Sequence, residues 1–401
     1  MIPVLGPEAI RQADAYTIAH EPIASIELME RAASRCATRI VELVRLGRFT
    51  CEPFLLVVAG MGNNGGDGLV VARLLHRSGL PVRVVRVRHR PSASPDNEAN
   101  RLRAVEAGVE VLDLDAVAQW PGTRPGLIID ALFGTGLSAP LRGLPAEAVR
   151  AMNGSGAPII AIDLPSGLFA EDNAGNDPQA IVRASLTLTL ELPKLCLLLP
   201  ENAPFTGEWE AVPIGLHQGF IQGCDVPLRV VERGDAAALM PARPRFAHKG
   251  SFGHALLIGG SEGRIGAMVI AAKAALRSGA GLVTVAVPRC GRDVVQTAAP
   301  EAMCLPDPDA TGITALPALA GFSAIGIGPG LGAGKKQTDA LGALLASAQA
   351  PLVLDADAIT ILAAAPALRQ RLPPLLHQPG KFGLRVAQAF GFGFQARAFR
   401  L

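Results

Sequence analysis

Aromatic residues are scarce in this chain of 401 residues, at 4%, with a single tyrosine, Tyr16. A surface that stacks nucleobases needs more rings than that, so nucleic acid is not expected as a partner. An excess of one charge is also lacking. Lysine and arginine number 37 against 35 aspartates and glutamates, interspersed, for a formal net charge of +2. That balance gives no field to draw an anionic polymer or a membrane surface. The cysteines (Cys36, Cys51, Cys196, Cys224, Cys290, Cys304) form no Cys-x-x-Cys pair and read as free thiols of a reducing compartment. No apolar run approaches a membrane span, and the start, MIPVLGPEAIRQADAY, has no basic segment followed by an apolar one. A cytoplasmic location is expected. Acidic residues are missing altogether after Asp357.

What is present is enough apolar sequence, 49%, to bury a large interior, over a length that suits two domains. Leu28, Met29, Ala32, Ala33, Cys36, Ile40 and Val44 share one helical face. FLLVVAG (Phe54 to Gly60) reads as a strand buried on both sides, then a Gly/Asn loop, the helix GLVVARLLHRSG and the strand PVRVVRVR. Strand, crossover helix and strand make the repeating unit of a doubly wound sheet. GLIIDALF, APIIAIDL and SLTLTLEL supply further strands. Pro- and Gly-rich sequence between Glu208 and Arg245 marks a boundary. Beyond it the pattern restarts with HALLIGG, an Ala-rich helix, GLVTVAVP, FSAIGIGPGLG and APLVLDADA. The reading is α/β twice: a Rossmann-like domain over 1–225 and an incomplete α/β domain over 240–376, followed by a degenerate or disordered tail, 377–401.

The densest chemistry lies in GMGNNGGDG (Gly60 to Gly68). It meets the Gly-x-Gly-x-x-Gly pattern, yet the next strand ends in Arg86, Arg88, His89 and Arg90, where a dinucleotide dehydrogenase places a carboxylate for the ribose. No Gly-Lys-Ser/Thr follows, so it is not a P-loop. What remains is a set of backbone N–H groups suited to phosphate at a helix start, with two carboxamides and a carboxylate. The alternative is a tight turn whose Asn63, Asn64 and Asp67 only cap the helix. Asp130 ends a second strand, and Asp163 and Ser166 follow a third. Singly, each could merely order its loop. Together, Asn64, Asp130 and Ser166 can offer hard oxygen ligands to a cation.

NNGGDG, DALFGTGL, DLPSG and TLELPKLCLLLP, in that order over residues 1–220, resemble the NAD(P)H-hydrate epimerase domain. The resemblance implies a substrate of hydrated NADH or NADPH, whose R and S forms are interconverted, and potassium held by Asn64, Asp130 and Ser166. It implies substrate contacts at Asn63, Asn64, Gly65, Gly66 and Asp67, at Gly134, Thr135, Gly136, Leu137, Ser138, Ala139 and Pro140, and at Asp163. Epimerising a carbinolamine carbon requires proton transfer at the hydroxyl or ring, so Asp163 is the candidate acid–base group. Lys194 is the second candidate, its alternative being a surface lysine after a strand.

The second half resembles the partner domain, a ribokinase-like NAD(P)H-hydrate dehydratase that uses ADP or ATP. KGSFGHALLIGGSEGRIGAMVIAAKAALRSGAGLVTVAVP, PEAM, GIGPGLG and LDADAI carry the match. It implies substrate contacts at Ala267, Gly330 and His377. Past that point the likeness decays. His377-Gln378-Pro379-Gly380-Lys381 stands where the family has His-Pro-Gly-Glu, and the family's Gly-x-Gly-Asp, whose Asp is the catalytic base, is absent. The dehydratase half is therefore expected to be truncated or out of frame at its end and impaired in turnover. Apolar sheet left uncovered there invites association, and a homo-oligomer is expected. Two rival readings stay open: a ligand-binding scaffold without turnover, and a small-molecule kinase of ribokinase type.

Overall fold

The computed structural model describes residues 1–239 and 242–372. His377 and the segment 377–401 lie outside the described residues. The chain divides into two units, Met1–Met240 and Pro241–Leu401, each built on a parallel sheet.

In the first unit β1 (Ile2–Pro3) leads into α1 (Pro7–His20) and α2 (Ser25–Arg45). Then come β2 (Leu55–Ala59), α3 (Asn63–Arg77), β3 (Val82–Val87), α4 (Pro95–Glu106), β4 (Glu110–Leu114) and β5 (Leu127–Ala131). Next are α5 (Gly143–Gly154), β6 (Ile159–Ile162), β7 (Leu186–Leu190), β8 (Glu208–Val212) and β9 (Arg229–Val230), the last pairing with β1. The strands lie in the order β4-β3-β2-β5-β6-β7-β8, all parallel. The chain leaves β2 toward one edge and returns at β5 to build toward the other. That reversal opens a crevice at the strands' C-terminal ends.

Both faces of the sheet are covered, which is why its strands read as unbroken apolar runs. Val57, Ala59, Ile129, Ile160 and Ile162 pack toward Leu28, Ala32, Cys36 and Ile40 of α2 and Leu69, Val70 and Ala72 of α3. Leu56, Val58 and Ile128 point the other way, toward Ala146, Val149 and Met152 of α5. The apolar face predicted for α2 is thus buried, and the helix starts where Glu27 accepts the Ala24 N–H at 2.9 Å.

The start of α3 differs from the sequence reading. The helix begins at Asn63, so NNGGDG forms its first turns and is not a loop before it. Glycine and asparagine form helices poorly, but here packing overrides propensity. A Cβ on Gly65 would lie 2.0 Å from the Gly60 carbonyl oxygen, and one on Gly68 would lie 2.4 Å from Ala131 Cβ. One on Gly66 would meet Met29 Sδ at 2.7 Å. These glycines let α3 sit close against β2, β5 and α2, and that closeness carries Asn64 and Asp67 to the crevice.

The second unit contains β10 (His254–Ile258), β11 (Leu282–Val287), β12 (Met303–Pro306), β13 (Ala324–Ile327) and β14 (Leu352–Leu354). Their order is β12-β11-β10-β13-β14, again parallel throughout. Helix Ile265–Arg277 packs Ile265, Met268 and Ala272 on Val283 and Val285, while Leu341 and Leu344 of helix Lys335–Ser347 pack on Leu256, Ile258 and Ile325. The α/β class read from sequence therefore holds in both units. Among the described residues no helix is long and apolar enough to cross a membrane.

Because the Gly65–Gly60 approach is backbone on backbone, Gly65→Ala has no flexible atom to push aside. The expected loss is about 2 kcal/mol or more, in the upper range for overpacking. An unchanged urea midpoint would show that the helix start has room the packing denies.

Candidate active site

Parallel strands end on one side of the sheet, and four of them deliver polar groups there. Asn64 and Asp67 follow β2, Asp130 is the penultimate residue of β5, Asp163 follows β6, and Lys194 lies beyond β7. Gly134 and Thr135 come from the loop after β5. Asn63 is exposed at the helix start, as are Gly136, Ser138 and Ala139 at the loop's tip. Leu137 leans on the apolar cluster under α5, and Pro140 is half-buried. The sequence-predicted groups are therefore brought together at their base, with the tip of the 134–140 segment standing in solvent.

Asp130 is fully buried on the face of the sheet shared with Ile128. Its Oδ1 accepts from Ser166 Oγ at 2.6 Å and its Oδ2 from the Ser166 N–H at 2.7 Å. Burial lifts its carboxyl to about 6, against the opposing pull of the Ser166 and Leu132 hydrogen bonds. Ser166 Oγ also accepts the Phe133 N–H at 2.8 Å, joining the loops after β5 and β6. Asn64 sits beside the next residue along: a Cβ on Gly134 would lie 3.3 Å from Asn64 Oδ1 and 2.7 Å from Asp163 Oδ2. Asn64 Nδ2 is buried and has no hydrogen-bond partner. An amide's oxygen and nitrogen exchange on a flip, so this side chain can present either a donor or an acceptor there.

Asp163 carries the site's tightest geometry. It adopts φ 69°, a left-handed conformation that aspartate tolerates better than most residues, as the chain turns sharply off β6. Its Oδ2 accepts the Thr135 N–H at 3.0 Å and its Oδ1 meets Lys194 Nζ at 2.7 Å. Lys194 is no surface lysine. It is 1% exposed, and its other two protons go to Thr189 Oγ1 at 2.9 Å and the Leu190 carbonyl at 2.8 Å. An ammonium so enclosed is held only because every donor is matched.

Two further carboxylates face this pair. Asp67 is 8% exposed, and no donor or cation bonds its carboxylate among the described residues. Burial, then the charges of Asp163, Asp14 and Asp96, push it well above the usual carboxylate range. Asp14 was not read from the sequence as a site residue. It stands on the inward face of α1 with Ile10, Thr17 and Ile18, two of which pack on the core and the third of which is fully buried. Burial first, and the negative charge of Asp163 second, raise it to about 6, with Lys194 opposing. The signal that could have found it was a lone carboxylate on an apolar helical face.

In the second unit, Ser261 Oγ donates to the Gly330 carbonyl at 2.9 Å, and Gly260 donates to the Pro329 carbonyl at 2.9 Å. Asp357 Oδ2 accepts the Gly332 N–H at 2.7 Å and so orders that loop. Ala267, in the helix after the 259–264 loop, and Gly330, with φ 63°, thus lie on two loops tied to each other.

The strand order and the polar groups gathered at the strand ends define an α/β enzyme of the nucleotide-handling kind. Two families match: YjeF-related protein N-terminus over residues 25–196, and NAD(P)H-hydrate dehydratase over residues 255–375. The bifunctional NAD(P)H-hydrate repair enzyme of Salinibacter ruber is 38% identical, over 90% of this chain and 70% of its own. The enzyme of the same name from Moorella thermoacetica is 34% identical, over 88% of this chain and 68% of its own. Among solved structures, an ADP/ATP-dependent NAD(P)H-hydrate dehydratase from Bacillus subtilis, co-crystallised with ATP and Mg2+, is 31% identical. It covers 31% of this chain and 44% of its own, with a TM-score of 0.27. The chain belongs to the bifunctional NAD(P)H-hydrate repair enzymes, and its function is nicotinamide nucleotide repair.

Asp14 yields a pH test. Its carboxyl is raised from 3.8 to about 6, so folding disfavours its charged form. Below about pH 3, Asp14 is largely protonated in both states and Asp14→Asn changes little; above about pH 6 the wild type bears the full penalty. The melting temperature of Asp14→Asn should therefore rise above that of the wild type as pH climbs through this window, then hold a constant lead. A constant difference at all pH values would place Asp14 in water.

Proposed function

We propose that the crevice of the first unit epimerises hydrated NADH and NADPH, with Asp163 as the acid–base group and Lys194 as its counter-ion. The observation that carries this reading is the buried Asp163–Lys194 contact at 2.7 Å, beside a Gly134 that has no side chain to crowd Asp163 Oδ2. The hydrated carbon bears a hydroxyl and the ring nitrogen. Asp163 takes the hydroxyl proton; the carbonyl forms as the carbon–nitrogen bond breaks, and its electron pair goes to the nitrogen. Rotation presents the other face, the nitrogen closes on it, and Asp163 returns the proton to the new alkoxide. Nothing is consumed, as an epimerisation requires. Asp67, kept protonated by its burial, stands by as a neutral donor to the ring nitrogen.

Potassium fits the same crevice. Asn64, Asp130 and Ser166 present only oxygen ligands once the Asn64 amide turns its oxygen inward, and the unpartnered Asn64 Nδ2 marks the place. Such an ion supplies fixed positive charge near the substrate's phosphates and the loops that hold them. Contacts to the dinucleotide fall to the first turns of α3 and to the 134–140 loop. In the second unit, the loops around Ala267 and Gly330 are the surface for the hydrated nucleotide, and ADP or ATP is the co-substrate that a dehydration there would require. The segments read as domains are 1–225 and 240–376.

Asp163→Asn should slow R/S interconversion by roughly two orders of magnitude or more, followed by chiral chromatography. It also strands a buried ammonium, at a cost of about 3–5 kcal/mol. The double variant Asp163→Asn/Lys194→Met removes that charge and should regain stability without regaining activity. A double variant that is stable and fast would take the proton transfer away from Asp163.

A further inference from the structure

The sequence left one motif unused: the basic end of β3. In a sheet of this order the residue that follows the second strand of the unit meets the adenosine ribose. A carboxylate there selects the free 2′-hydroxyl, and an arginine accommodates a 2′-phosphate. Here the candidates are Arg86, Arg88, His89 and Arg90, and the structure separates them. Arg86 is buried and committed to Asp113 at 2.7 Å and Glu98 at 2.8 Å. Arg88 is held by Asp115 at 3.3 Å. His89 lays its ring 5.0 Å from that of Phe133, so the end of β3 is fastened to the loop that bears Thr135.

Arg90 alone of the three arginines has no acidic partner among the described residues. Its Nη2 donates to the Met61 carbonyl and lies 3.8 Å from where a Cβ on Gly62 would be, over the turn that starts α3. The Ser94 N–H donates to the same Met61 carbonyl at 2.9 Å, while the Ser94 hydroxyl is buried without a partner. The Arg90 guanidinium and the backbone of Ser94 thus meet at one carbonyl, and the guanidinium and the unsatisfied Ser94 hydroxyl are donors of the kind phosphate oxygens accept. From β3 to the Asp163 end of β6 is three strand steps, roughly 14 Å at about 4.8 Å each. That span suits a dinucleotide lying across the strand ends.

We propose that Arg90, with the Ser94 hydroxyl, binds the 2′-phosphate of hydrated NADPH and is the residue that favours it over hydrated NADH. The proposal rests on the crevice being the epimerase site with the reacting ring at Asp163. A pyrophosphate contact would serve both substrates alike, so the ratio between them decides. Wild type, Arg90→Ala, Arg90→Lys and Ser94→Ala are compared for kcat/KM on hydrated NADPH and hydrated NADH at one ionic strength, and for the Kd of NADP+ and NAD+. Arg90→Ala should lower the NADPH-form to NADH-form ratio about tenfold, the low end for an exposed hydrogen bond to a charged group. Arg90→Lys should lie between, Ser94→Ala should lower the ratio less, and salt should erode the wild-type preference. Equal losses on both substrates, or none on either, would overturn the assignment. Should the wild type bind both nucleotides yet epimerise neither form, the epimerase reading fails, and the NADP+ to NAD+ Kd ratio still decides Arg90.

Discussion

The buried pair of Lys194 and Asp163 is the constraint on which the first unit's site depends. Moving an ammonium out of water costs several kcal/mol, so Lys194 persists only through three acceptors drawn from separate pieces of chain. Thr189 and Leu190 belong to β7, Asp163 to the turn after β6. The same aspartate accepts from Thr135 after β5, so one ion pair registers three strand ends. It also sets the electrostatics around it. Burial first, and then the negative charge of Asp163, raise Asp67 and Asp14, with Lys194 opposing the rise at Asp14.

Close backbone approach is the second condition. Gly60 packs on the Leu132 carbonyl, Gly65 on Gly60, and Gly68 on Ala131. With side chains at those points α3 would stand off the sheet and lift Asn64 and Asp67 from the crevice. The glycines of GMGNNGGDG thus act largely through packing, although the spacing invited a phosphate-cradle reading. The two roles are compatible, since a helix drawn tight against β2 presents its first N–H groups at the crevice mouth.

Much of this was legible in sequence. Buried parallel strands show as continuous apolar runs, and Asp130, Asp163 and Ser166 stood out as polar residues at the ends of such runs. What escaped had no local signature or a misleading one. Nothing in LPKLC distinguishes a buried lysine from a surface one, because the three acceptors of Lys194 come from tertiary structure. The helix start at Asn63 was hidden by low propensity. Glu208–Val212 sat in sequence read as boundary, yet it pairs with β7 as an edge strand that needs no strong apolar pattern. Asp14 was missed although its neighbours Ile10, Thr17 and Ile18 lay at helical spacing, an argument for treating a lone acid on an apolar face as a site residue first.

The epimerisation proposed for this crevice makes a particular demand. The group that removes a proton in one direction must donate it in the other, so acid and base forms must both be available at the working pH. In the proposed reaction the base is the carboxylate that meets Lys194. The acid in that proposal is Asp67, whose burial disfavours its charged form. The environments of Asp163 and Asp67 differ in just this way: one has Lys194 and the Thr135 N–H, the other has neither and faces three negative charges. Asp14, raised to about 6 by burial and by the charge of Asp163, makes the charge near this pair depend on pH around that value. On the proposed reading, the different surroundings of Asp163 and Asp67 divide the labour of a reversible proton transfer between two carboxyl groups.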